Sequence, residues 1–167
     1  HPREPKLSAD VFRDPQNGFQ QRHAAWLDTT AFLEASRRFF DSLDSWRQAD
    51  ASPSEVLDDA NGIDWRGERF SHVIWANGWN AAQHPLLSWV PFQSALGTIL
   101  TVKADLHGDK RIVNRGCWLL PRNDGTCRAG STYEWTFTDP NTPSPEQVAQ
   151  LEATLGTLLH TPADIIT

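Results

Sequence analysis

At Val73-Ile74-Trp75-Ala76 the chain becomes continuously apolar, and it then breaks off in Asn77-Gly78-Trp79. An uninterrupted apolar run of this length predicts a strand buried on both faces, because a strand with one wet face would alternate apolar and polar residues. A glycine just after it lets the backbone turn sharply and come close to a ligand at the strand's carboxyl end. The plainer reading of the same residues is a buried strand followed by an Asn-Gly turn.

Around this run the sequence predicts further elements. Phe32, Leu33, Ser36, Phe39, Phe40, Leu43 and Trp46 recur at three- and four-residue steps, the apolar face of a helix that starts at Asp28 or Thr29. Ser52-Pro53-Ser54-Glu55 has the form of a second helix start, with Gly62 as its stop. Ile63 to Trp65 and Glu68 to Ala76 read as strands around a turn at Arg66-Gly67. Residues 80–93, with Pro85 and Pro91, read as a crossing loop.

Further on, Thr98 to Lys103 is β-branched and strand-like, and Arg111 to Pro121 with Thr126 to Phe137 forms a hairpin around Asn123-Asp124-Gly125. A last helix opens at Ser144-Pro145-Glu146-Gln147, buries Val148, Leu151, Leu155 and Leu158, and is closed by Pro162. Residues 1 to about 25 carry Pro2, Pro5, Pro15 and Gly18 and read as an irregular lead-in. The sum is an α+β fold, a mixed or antiparallel sheet with covering helices. At 167 residues the chain is expected to form a single domain over 1–167.

Charge and composition exclude several classes. The net charge is −6, from 15 basic and 21 acidic residues with the basic ones scattered, so no nucleic acid partner is expected. No apolar stretch approaches the ~20 residues that span a bilayer, so no membrane span is expected. Six histidines show no short paired spacing and neither cysteine sits in Cys-x-x-Cys, so no metal site is expected. Cys127 should lie opposite Leu120 or Pro121, several positions from Cys117. Both should therefore be free thiols, which suits a reducing, cytoplasmic location. The chain holds no methionine, and the expectation is that it is an internal piece of a longer protein.

The second motif is Gly116-Cys117-Trp118-Leu119-Leu120-Pro121-Arg122-Asn123-Asp124-Gly125, returning as Ala129-Gly130-Ser131-Thr132-Tyr133-Glu134. Together with Ala76-Asn77-Gly78 it resembles the D-amino-acid-oxidase-like (DAO) superfamily of FAD-dependent oxidoreductases, in particular its glycine-oxidase-like and sarcosine-oxidase-like members. In that family a strand ending in Ala-x-Gly contributes to the flavin domain. A hairpin of the form aromatic-x-x-Pro-Arg-x-x-Gly, then Gly-x-Thr, walls the substrate site. The resemblance runs from about Trp26 to Leu159.

The resemblance implies a substrate-binding domain, with residues 63–79 as what remains of the FAD-binding domain. It implies cofactor contacts at Ala76, Gly78, Trp79 and Gly97, and substrate contacts at Trp118, Arg122 and Tyr133. Asn77 replaces the family's usual Thr, Leu96 stands where an arginine is usual, and Trp118 stands where a tyrosine is common. The partner implied is a small-molecule amine or amino acid. The family's Gly-x-Gly-x-x-Gly fingerprint is absent from the sequence. FAD is therefore expected in the parent protein, gripped by flavin-domain segments missing from this piece, and not on this piece alone, which should be inactive. Residue by residue there are other readings: Trp118 packing across the hairpin, Gly97 as a strand start, Tyr133 in a structural hydrogen bond, Arg122 in a salt bridge. Eight tryptophans also fit an aromatic-rich, sugar-binding module, and a degenerate structural domain is a third reading.

Overall fold

The computed structural model describes residues 6–16, 18–59, 62–137 and 139–166. The sequence reading treats the chain as one domain; its contacts group into two compact units, Gln20–Phe92 and a second made of the chain up to Phe19 and from Gln93 onward. The class is α+β with antiparallel sheets.

Within Gln20–Phe92, helix α1 (Thr29–Ser42) forms where the periodicity places it. Asp28 caps it, its Oδ1 accepting from the Ala31 N–H at 3.0 Å. Its apolar stripe is nevertheless exposed: no residue of α1 is buried, and Leu33 is 64% exposed. Caps and spacing are local and make a helix, whereas burial needs a second surface. Trp46 lies beyond the helix end.

The second start signal does not open a full helix. Pro53–Glu55 make one 3₁₀ turn, and the chain then extends as β1 (Val56–Asp59), so Asp58 and Asp59 sit on a strand and not on a helix surface. Arg66 explains the stop: it grips Glu55 at 2.9 Å and the Asp50 carbonyl at 2.9 Å, and Val56 is paired with Trp65. β1, β2 (Gly62–Trp65) and β3 (Glu68–Phe70) form an antiparallel meander. The β2–β3 turn has φ of +54° at Arg66 and +83° at Gly67, the two-residue geometry that suits strand twist. Gly62, at φ +124°, leaves only 2.8 Å between where a Cβ would stand and the Phe70 carbonyl oxygen, so no other residue fits.

The apolar run is the main correction to the sequence reading. The strand expected over Glu68 to Ala76 stops at Phe70, and residues 71–77 are irregular, with Ile74 87% exposed. A run buried on both faces needs neighbours on both edges, and β3 is an edge strand of its three-stranded sheet. Trp75 alone of the run is half-buried, edge-on to the buried His84 with ring centres 4.6 Å apart. The crossing loop after it carries 3₁₀ turns at Gly78–Gln83 and Pro85–Leu87, the second capped by His84 Nδ1, which accepts from the Leu86 N–H.

The second unit is a five-stranded antiparallel sheet with a helix against one face. Its strands are β4 (Ile99–Lys103), β5 (Val113–Arg115), β6 (Cys117–Pro121), β7 (Cys127–Gly130) and β8 (Asp164–Ile165), in the order β5-β6-β7-β4-β8. The β6–β7 hairpin has the expected register, Pro121 opposite Cys127, closed by Arg122 N–H on the Thr126 carbonyl at 2.8 Å and by Asp124, which accepts from both Thr126 N–H and its hydroxyl. The arms are shorter than expected. Gly116, at φ +76°, splits the first into β5 and β6, and the second is regular only to Gly130.

Helix α2 (Pro145–Leu158) starts at the Ser144 cap and buries Leu151, Leu155 and Leu158 as the sequence predicts. They meet Leu100, Val102, Val113, Cys117, Leu119, Cys127 and Ala129 of the sheet in one core. Each fully buried leucine or valine there stabilises the fold by about 1.5–3 kcal/mol. The irregular lead-in also enters this core through Val11 and Phe12, with Phe12 bridging Leu159. Arg115 ties the junction, donating to the Arg13 and Thr157 carbonyls at 2.6 and 3.1 Å. Cys117 and Cys127 are free, buried thiols. Among the described residues no helix is long and apolar enough to cross a membrane.

Candidate functional site

Side chains alternate along β4, β6 and β7, and the alternation separates two faces. Leu100, Val102, Cys117, Leu119, Cys127 and Ala129 face the α2 core. On the other face the register sets two rows side by side: Trp118, Gly130 and Ile99 in one, Leu120, Arg128 and Thr101 in the next. This second face carries no helix of its own unit, and Trp118, Leu120, Arg128 and Thr101 on it are half-buried.

Gly130 lets the indole lie down. A Cβ at Gly130 would stand 2.9 Å from Trp118 Cζ2 and 3.1 Å from Ile99 Cγ1, so the ring rests in the notch left by the missing side chain. Trp118 thus packs across the hairpin, the plainer of its two sequence readings. Arg128 Nη1 donates to Thr101 Oγ1 at 3.3 Å, and no carboxylate pairs with Arg128 among the described residues.

The other expected substrate residues stand elsewhere in this unit. Arg122 is exposed at the hairpin turn, its Nε 3.6 Å from the Asp124 carboxylate, which is the salt-bridge reading. Asp124, which accepts from Thr126 and faces Arg122, is held below the usual carboxylate range. Tyr133 is 70% exposed and stacks on Trp135 with ring centres 6.4 Å apart. Gly97 begins the approach to β4 and lies against the Thr132 carbonyl, 3.4 Å from where its Cβ would be. There the segment Leu96 to Thr98 pairs with Thr132 to Glu134: Leu96 and Glu134 exchange both backbone bonds at 2.8 Å, and the Thr98 N–H reaches Thr132 Oγ1 at 3.2 Å. Glu134 leaves Oε2 shielded from solvent and, among the described residues, without a hydrogen-bond partner.

Ala76, Gly78 and Trp79 belong to the unit Gln20–Phe92. The strand expected to end there is absent, as described above, but the bend is present: Gly78 has φ +56°, and nothing lies within 4 Å of where a Cβ would stand. Trp79 is 52% exposed. Beside this bend is an open apolar cavity of about 420 Å³ lined by Trp65, Phe70, Trp75, His72 and Asn77 among others. That size falls in the range of small-molecule sites.

Sequence reasoning missed Arg128 and Thr101. The signal was the two-residue alternation of Cys127-Arg128-Ala129, which sets Arg128 on the same side as Leu120 and Trp118 once the turn at Asn123-Asp124-Gly125 fixes the register. Neither cysteine is poised for chemistry, because burial pushes both thiols up, and at Cys127 the Asp124 carboxylate adds to it. Among the described residues no cluster of three His, Cys, Asp or Glu side chains is placed to hold a metal.

No protein-family model and no solved structure matches the chain.

Proposed function

We propose that this chain forms the substrate-side wall, with part of the flavin-side framework, of an FAD-dependent oxidoreductase of the D-amino-acid-oxidase-like kind that oxidises a small amine or amino acid. The observation that carries the reading is the sheet face opposite α2 with Trp118 packed against Gly130, since the motif that resembles the family's substrate wall supplies that face. The open bend at Gly78 beside an aromatic cavity supports it from the other unit.

The residues fit the cofactor only in part. Gly78 allows close approach, but the sequence has no Gly-x-Gly-x-x-Gly, and the amino end of α1 is already capped by the Asp28 carboxylate, which repels a pyrophosphate. The phosphates would have to be held by other segments of the parent protein. When bound, FAD would supply the acceptor for hydride from the amine-bearing carbon. This chain's part is to orient the substrate and exclude water: Trp118 and Ile99 offer apolar cover, and Arg128 and Thr101 offer polar contacts on the same face.

A second reading rests on the exposed stack of Tyr133 on Trp135, two aromatic faces of the kind on which a sugar ring packs. One experiment separates the two. The protein is tagged at its native locus, purified in whatever form it exists, and its visible spectrum recorded before and after anaerobic addition of an amine mixture. An oxidised flavin spectrum that bleaches is the expected result. A colourless preparation that releases no FAD on denaturation refutes the oxidoreductase reading.

A further inference from the structure

We propose that α1 is a self-association surface: two copies of this chain pair antiparallel through the apolar stripe of Thr29–Ser42, with Ser36 of each copy at the two-fold axis. The inference is independent of the ligand chemistry proposed above.

Phe32, Leu33, Phe39, Phe40 and Leu43 are each 46–64% exposed, and the half-buried Ser36 lies in the middle of them, both along the helix and around it. Glu34, Arg38 and Asp41 fall on the opposite side. The pattern reads alike in both directions from Ser36: Leu33 and Phe39 stand three residues away, Phe32 and Phe40 four, and, beyond the helix ends, Trp26 and Trp46 ten. A two-fold axis at Ser36 therefore brings Phe32 level with Phe40 of the copy and Leu33 level with Phe39, while serine meets serine where the helices come closest. Antiparallel pairing also sets the positive end of one helix dipole beside the negative end of the other.

The area fits a second copy. Trp26 and Trp46 are 49% and 45% exposed. At about 200 Å² for a large side chain, the exposed parts of these two and the five stripe residues come to roughly 700–800 Å² per copy. A pair then buries about 1,500 Å², inside the ~1,200–2,000 Å² of stable specific interfaces. Ser36 Oγ already donates to the Phe32 carbonyl at 2.8 Å, so covering it leaves no unpaired donor. The unit offers the stripe no apolar core of its own: among the described residues of Gln20–Phe92 only Ala81 and His84 are buried. Asp28 caps α1 locally, so the helix presents its stripe already formed.

The test is sedimentation velocity on the full chain from about 1 to 100 μM, where the mass is expected to rise to twice that of one chain. Leu33→Glu puts a charge into each half of the contact and should weaken pairing at least about a hundredfold, whereas Glu34→Gln, on the far side, should change it by less than about twofold. Under mild oxidation Ser36→Cys should link to its copy, and Leu43→Cys should not, because antiparallel pairing brings Leu43 level with Thr29 instead. The native Cys117 and Cys127 are buried and do not compete. An unchanged helical circular-dichroism signal shows that each variant is folded. A monomer at every concentration, an oligomer indifferent to Leu33→Glu, or self-linking of Leu43→Cys, which marks a parallel pair, overturns the proposal. So does a monomeric preparation from the native locus, the mark of a stripe covered by other segments of its own polypeptide.

Discussion

Replacing Gly130 with alanine tests the packing on which the candidate site is built. Gly130 does not have a positive φ, so alanine brings no backbone strain, and on chain entropy alone the change should stabilise by about 0.4–1 kcal/mol. The structure predicts the opposite sign. The new methyl would stand 2.9 Å from Trp118 Cζ2, 3.3 Å from Cε2 and 3.1 Å from Ile99 Cγ1, with two side chains closing on it from both neighbouring strands.

Overpacking of this kind costs about 1–3 kcal/mol. Set against the entropic gain, the net loss should fall between about 0 and 2.6 kcal/mol, centred near about 1.3 kcal/mol. In a unit of this size each kcal/mol lowers the melting temperature by about 4–8 °C. Trp118→Leu removes both ring atoms and leaves only the 3.1 Å approach to Ile99 Cγ1, so in that background the loss from Gly130→Ala should shrink, a coupling of about 1 kcal/mol in a double-mutant cycle. Urea unfolding followed through amide resonances of β4, β6 and β7 reports on this unit alone. A stable single variant, or a loss undiminished without the indole, would refute the picture of Trp118 seated in the Gly130 notch.

Two further outcomes follow from the buried groups. Cys117 and Cys127 should resist a water-soluble thiol reagent in the folded chain and both should react once it is unfolded, as measured by absorbance of the released chromophore; rapid native reaction would contradict their burial in the α2 core. Asp109 accepts from the Arg111 side chain and backbone N–H, which holds its carboxyl below the usual range. A lowered folded pKa gives stability that is complete above the unfolded value of about 4 and is lost as pH falls through the folded one. Asp109→Asn should therefore cost about 1–2 kcal/mol near pH 7 and progressively less below about pH 4, read as the gap between urea midpoints; a gap independent of pH would exclude the ionic contribution.

What the sequence discloses here is what is local. Asp28 and Ser144 each cap the helix they precede, and Arg66-Gly67 and Asn123-Asp124-Gly125 each close a hairpin, because the deciding bonds span a few residues. What depends on a distant partner was not legible. Val73 to Ala76 has the composition of a central strand but follows an edge, and Ser52-Pro53 opens a turn that Arg66 arrests from 11 positions along the chain. The stripe on α1 was readable, but its lack of cover was not. Of the candidate site, Trp118 was identified from its motif. Arg128 was overlooked because its side of the sheet follows only from the hairpin register.

The bridge between Phe12 and Leu159 has a consequence for biosynthesis. Val11 and Phe12 leave the ribosome well before the α2 leucines and Leu159 that pack with them. At about 5–20 residues per second the wait is on the order of ten seconds, long compared with a helix or hairpin forming. Through that interval this apolar pair lacks its α2 cover, which a holdase chaperone could supply until α2 is made. Gln20–Phe92, whose strand pairings all lie within itself, need not wait.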